Sequence, residues 1–154
     1  MKNLHVLLLS LYLFLIGIFS LIGVSIPILH MLLSALAIAA GVFIILNGKS
    51  GVVNFLNSIL LAIFLMLSGI IALFGILFDG SGLIVGALAI VTGILIIIDN
   101  KKKKVKDFLG GFLLALWLLH VGLVAVIGLS FTFLPQIIAI AAIVASVFIY
   151  ITHK

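Results

Sequence analysis

The stretch Gly69-Ile70-Ile71-Ala72-Leu73-Phe74-Gly75 echoes an earlier one, Gly17-Ile18-Phe19-Ser20-Leu21-Ile22-Gly23, at a distance of 52 residues. At that offset Leu8–Lys49 aligns with Leu60–Lys101 without a gap. Of 42 positions 16 are identical, where so biased a composition gives about five by chance. A further offset of 53 lays Leu61–Lys101 on Leu114–Lys154, with 14 of 41 positions identical. The chain therefore reads as a single membrane domain, 1–154, made of three tandem copies: 1–50, 51–103 and 104–154.

Each copy holds two apolar runs. A bilayer core of about 30 Å needs about 20 helical residues to cross it, and six runs approach that length: Leu4–Val24, Ile28–Leu46, Phe55–Phe78, Leu83–Ile98, Phe108–Leu129 and Pro135–Ile151. The even-numbered runs are the shorter ones. With 67% hydrophobic and only 7% charged residues, and a mean hydropathy of +1.68, the chain lacks the polar side chains that a water-facing shell requires. The expected fold is all-α transmembrane: six helices as three tandem two-helix hairpins. Two crossings per copy make all copies enter the membrane in parallel orientation, related by an axis along the membrane normal. A ring with pseudo-threefold symmetry is the natural closed bundle, and an open row of hairpins is the other arrangement. The first run aligns with the third and fifth, so it is expected to belong to the fold and not to act as a cleaved leader.

The turns fall into two kinds. Lys2, Lys49, Lys154 and the run Lys101, Lys102, Lys103, Lys104 and Lys106 all fall on one side of the membrane, and the turns around Pro27, Asp79–Gly82 and Ser130–Leu134 carry no Lys. The positive-inside rule places both termini in the cytoplasm of a cell-membrane protein. The Lys cluster is expected to meet anionic lipid headgroups, each Lys contributing about 1 kcal/mol near such a surface, and no nucleic-acid partner is expected. Asp79 and Ser81 are expected to cap the fourth helix, with Pro27 and Pro135 in first turns.

Positions shared by the copies are mostly small. Gly17, Ser20 and Gly23 coincide with Gly69, Ala72 and Gly75 and with Gly122, Ala125 and Gly128. In the even helices Ala37 and Gly41 coincide with Ala89 and Gly93 and with Ala142 and Ser146. Helices in lipid associate through close packing, which small residues permit, so these positions are expected to be helix contacts. The ring-bearing trio Tyr12, Phe64 and Trp117 also coincides and is expected to fill space beside them.

Groups for chemistry are scarce. There is no Cys, which removes thiol catalysis and Cys-ligated metals. Ionisable residues at membrane depth are functional by default, and the spans offer only His120, which replaces Leu15 and Leu67 of the other copies. It is expected to hydrogen-bond a neighbouring helix, Ser68 or Ser34 being candidates, and the hydroxyls of the spans to bond carbonyls of their own helices. No catalytic residue, metal site or cofactor is expected. His120 and Trp117 are the weak candidates for cofactor binding.

The Gly-Ile-x-x-Leu-x-Gly pattern at 17–23 and 69–75, with Pro27 in the next turn and Gly41 and Gly93 in the second helices, resembles the short-repeat membrane family that includes the acid-resistance protein HdeD. The third copy departs, with Leu123 for Ile and Ser146 for Gly. The resemblance implies a stress-associated membrane protein of six spans and no catalytic residues. The leading expectation is a non-enzymatic structural or accessory component that self-associates as a homo-oligomer or joins a larger membrane complex. The alternatives are a small transporter or channel for an apolar or weakly polar solute, and a subunit that binds pigment, quinone or haem.

Overall fold

A computed structural model describes residues 4–23, 26–47, 55–75, 80–101, 105–128 and 133–152. These residues form six helices: α1 Leu4–Ile22, α2 Pro27–Asn47, α3 Phe55–Phe74, α4 Ser81–Asn100, α5 Val105–Ile127 and α6 Leu134–Thr152. All six contain spans long and apolar enough to cross a membrane. Only 28–39% of each span is buried inside the bundle, so the remaining apolar faces call for lipid as their solvent.

The even helices are not systematically shorter. At 21 and 20 residues, α2 and α4 match α1 and α3, at 19 and 20. Helices continue through polar ends that hydropathy discards: α2 begins on Pro27, whose fixed φ suits a first turn, and α4 runs on through Asp99 and Asn100. The expected cap of α4 is also different. Gly80, at φ 101°, is its N-cap with no side-chain cap bond, and Ser81 is already inside the helix. Asp79 lies outside the described residues.

Each helix packs on its neighbours in sequence, and α6 packs back on α1, so the arrangement is a closed ring and not an open row. The more extensive packing joins different copies: α2 to α3, α4 to α5 and α6 to α1. The odd helices have no backbone approach to one another among the described residues, and their side chains meet across a central axis.

The same contact recurs at all three seams. A Cβ on Gly17 would lie 2.8 Å from the carbonyl oxygen of Ala139 and 2.7 Å from Ile143 Cγ1. On Gly69 it would meet Ser34 O at 2.8 Å and Ile38 Cγ1 at 2.7 Å, and on Gly122 Gly86 O at 2.6 Å and Ile90 Cγ1 at 2.5 Å. Ser34, Gly86 and Ala139 occupy equivalent positions in the three copies, as do Ile38, Ile90 and Ile143. The contact set thus turns about a pseudo-threefold axis. From the even helices Gly41 approaches Ala62 O and Gly93 approaches Ala115 O, with room for a Cβ of 2.8 and 3.0 Å. Ala37, Ala89 and Ala142 are buried beside them. At the third seam Ser146 and Ser10 replace the Gly and Ala of the other two, each bonding a carbonyl of its own helix. An apolar groove of about 370 Å³ opens between α1 and α6 at that place, lined by both serines, Phe14 and Tyr150.

Gly23, Gly75 and Gly128 correct the packing expectation. Their φ values are 67°, 60° and 69°, and a Cβ on any of them would meet nothing within 4 Å. They end the odd helices in the left-handed conformation that Gly adopts without steric cost. The amide of Gly23 bonds Phe19 O and that of Gly128 bonds Val124 O.

Two glycines in one helix therefore differ in kind. Gly69→Asn is expected to cost about 1–3 kcal/mol through overpacking. Gly75→Asn is expected to be nearly neutral, because Asn tolerates positive φ. Thermal unfolding of the two variants in detergent checks the contrast.

Candidate functional site

The axis is read from its rings. Trp117 of α5 meets Tyr12 of α1 edge-on, with centroids 6.1 Å apart, and Phe64 of α3 in the same manner at 6.3 Å. All three are buried, and they bring together three helices whose backbones stay apart. Stepping by three and four residues along the same faces gives the neighbouring layers. Towards the end where α1 starts lie Leu9, Leu61 and Leu114, each no more than 1% exposed. The next layer holds His5, Asn57 and Gly110, all buried. In the opposite direction lie Ile16, Ser68 and Val121, half-buried.

Beyond the ring layer, at the end away from the termini, the bundle opens. One cavity of about 480 Å³ lies among α1, α2 and α3 and reaches Tyr12, Ser20, His30, Ser34 and Ser68. A second, of about 400 Å³, lies among α5, α6 and α1 and includes Trp117, His120 and Ser20. A third, of about 420 Å³, lies among α3, α4 and α5 and includes Ser68, Ala72 and Ala125. The cavities share walls in a threefold pattern: Ser20 borders the first and second, Ala72 the first and third, and Ala125 the second and third. Ser20, Ala72 and Ala125 are exposed, so these three face a common vestibule around the axis. Ala125 also reaches a seam, where it crowds the space beside Gly86.

His120 and Trp117, paired by sequence as weak cofactor candidates, do line one cavity. The expected hydrogen bond from His120 to Ser68 or Ser34 is not formed. Ser68 donates to Leu65 O at 3.1 Å and Ser34 to His30 O at 2.6 Å, which leaves the imidazole beside the cavity. Among the described residues no cluster of three or more His, Cys, Asp or Glu could hold a metal ion.

The terminal end is polar as well. Asn57 of α3 donates its side-chain amide to the Asp99 carboxylate of α4. Asn100 is 0% exposed, with neither its Nδ2 nor its Oδ1 hydrogen-bonded. Such an unpaired buried group costs about 1–3 kcal/mol. Its carboxamide lies against Gly111 of α5, where any Cβ would collide with it. Lys101 follows α4 and is exposed. Lys102, Lys103 and Lys104 lie outside the described residues, as do Lys2, Lys49 and Lys154, and Lys106 lies in the first turn of α5.

Sequence reasoning passed over Asn57, Asp99 and Asn100 because they sit at span ends. The signal that could have found them is their place in the repeat: Asn57 stands where the first copy has His5, and both belong to the stripe that carries the aromatic trio.

No protein-family model matches the chain, and no curated protein matches it. Among solved structures, the cryo-EM structure of the Helicobacter pylori urea channel in its closed state is similar, with a TM-score of 0.56 over 100% of both chains and 15% sequence identity. The shared feature is the fold.

The single Trp of the chain reports on the axial layer. Its fluorescence is expected to be blue-shifted and quenched several-fold less by bromine-labelled lipid acyl chains than that of a Trp placed at the outward-facing Phe14, since Trp117 is buried inside the ring of six helices.

The structure is thus a membrane-helical ring with a vestibule, two apolar layers and a polar terminal end, and in fold it is similar to a urea channel.

Proposed function

We propose that the chain is a multi-pass membrane conduit for a small neutral solute, which travels along the pseudo-threefold axis. The observation that carries this reading is the order of layers on that axis. A vestibule touched by Ser20, Ser34, Ser68, His30 and His120 leads to the rings of Tyr12, Phe64 and Trp117 and then to the Leu9, Leu61 and Leu114 layer. Beyond these stand Asn57 and His5. A packing component needs only the seams; polar approaches on both sides of a short apolar barrier serve passage. The fold-level likeness to a urea channel supports the same alternative better than the accessory role that composition favours.

A neutral solute fits because the axial stripe of the described residues has no charged member other than the titratable His5. Dry apolar constrictions oppose ions far more than uncharged molecules, which have less hydration to lose. In this reading no bond is made or broken, and the chain is not an enzyme. The terminal end faces the cytoplasm of a cell membrane, where its lysines meet anionic headgroups. Self-association is compatible with the outer apolar faces and leaves the axis within one chain. A relation to the short-repeat family named above would make the solute one handled under stress.

Purified chain in proteoliposomes is expected to raise urea permeability above that of empty vesicles in stopped-flow light scattering, with no ionic conductance in planar bilayers. Trp117→Leu, which keeps an apolar side chain but removes the ring wedged between Tyr12 and Phe64, is expected to raise urea permeability several-fold. Permeability equal to that of empty vesicles for both proteins would refute the conduit.

A further inference from the structure

The three cavities stand at equivalent places, but their walls are not alike. On the first, among α1, α2 and α3, lie Ser20, His30, Ser34 and Ser68. The repeat carries those four positions onto Ala125, Pro135, Ala139 and Ile16, all of which line the second cavity. In the remaining sense of rotation they become Ala72, Gly82, Gly86 and Val121. Four side chains able to hydrogen-bond are thus gathered on one cavity, at positions where the fold is built elsewhere from groups that cannot. Ser34 meets Gly69 through its backbone carbonyl, as Ala139 meets Gly17, so its hydroxyl is surplus to the seam.

Two of these hydroxyls have a fixed polarity. Ser34 donates its proton to His30 O at 2.6 Å, and Ser68 donates to Leu65 O at 3.1 Å. A hydroxyl has one proton and two lone pairs, so each of them offers the cavity an acceptor and no further donor. Ser20 and His30 are exposed there, and each has a polar hydrogen to give. We propose that this cavity is the selective binding site of the conduit and takes neutral solutes rich in N–H donors, the amides and ureas, over solutes that only accept hydrogen bonds. Ser34 and Ser68 accept N–H groups from the solute, and Ser20 or His30 donates to its carbonyl oxygen. A solute without donors displaces the water that served both serines and leaves their lone pairs unmet, which a site lined with polar groups penalises. This assignment rests on the conduit reading and adds its substrate class and specificity determinants.

The test compares urea with dimethyl sulfoxide, which has the same number of heavy atoms and accepts hydrogen bonds but donates none. Permeability to each is measured in proteoliposomes, with that of empty vesicles subtracted, for the wild-type chain and for the double variant Ser34→Ala with Ser68→Ala. The wild type is expected to favour urea, and the double variant to lower the urea-to-sulfoxide ratio roughly tenfold, about the worth of two neutral hydrogen bonds. Should the double variant fail to fold, each single variant is expected to lower the ratio about threefold; Ser34→Ala introduces the residue that the third copy already carries at Ala139. Both permeabilities falling in parallel would give the serines a purely structural role and overturn the site. An unchanged ratio, or no urea preference in the wild type, overturns it also and leaves the conduit standing. Absence of any protein-dependent permeability in the wild type removes the conduit and the site together.

Discussion

Everything in this bundle depends on how closely two helices approach where Gly17, Gly69 and Gly122 face the even helix of the preceding copy. In lipid there is no hydrophobic gain from bringing apolar helices together, so cohesion comes from dispersion between backbones that come near enough to touch. Three seams built on the same Gly, with an Ile and a carbonyl opposite, turn the chain by equal steps until α6 meets α1. Closure creates the axis; without it the aromatic trio would face lipid from three separate helices.

The seams also explain the vestibule. One turn beyond Gly17, Gly69 and Gly122 the side chains of Ser20, Ala72 and Ala125 are exposed, and a turn after that a left-handed Gly ends each helix. Space is left around the last turns of the odd helices. The three cavities occupy that space in equivalent places.

Much of this was legible in the sequence, and for a definite reason. Gly17 and Gly69 are conspicuous at an offset of 52 because a seam must be made three times, so its residues are written three times. The axis obeys the opposite rule. Each layer is one site to which every copy contributes a single residue, and nothing obliges His5, Asn57 and Gly110, or Ile16, Ser68 and Val121, to be alike. Looking for what the copies share finds the assembly and the apolar layers of the axis, and passes over the polar ones. The hydrogen bond expected of His120 is absent because Ser34 and Ser68 line the cavity among α1, α2 and α3, whereas His120 lines the one among α5, α6 and α1. Gly23, Gly75 and Gly128 matched the seam pattern in sequence, yet their recurrence reflects backbone conformation and not contact.

The two apolar layers on the axis are separated by three residues, roughly 4.5 Å of helix rise. A continuous file of water through a membrane relays protons from molecule to molecule, and a membrane that stores a proton gradient loses it through any such file. The buried layer of Leu9, Leu61 and Leu114 beneath Trp117 offers such a file no hydroxyl, carboxylate or imidazole, and the hydroxyl of Tyr12 belongs to the ring layer above it. In the proposed conduit, such a dry layer would keep the path of the solute from carrying protons as well.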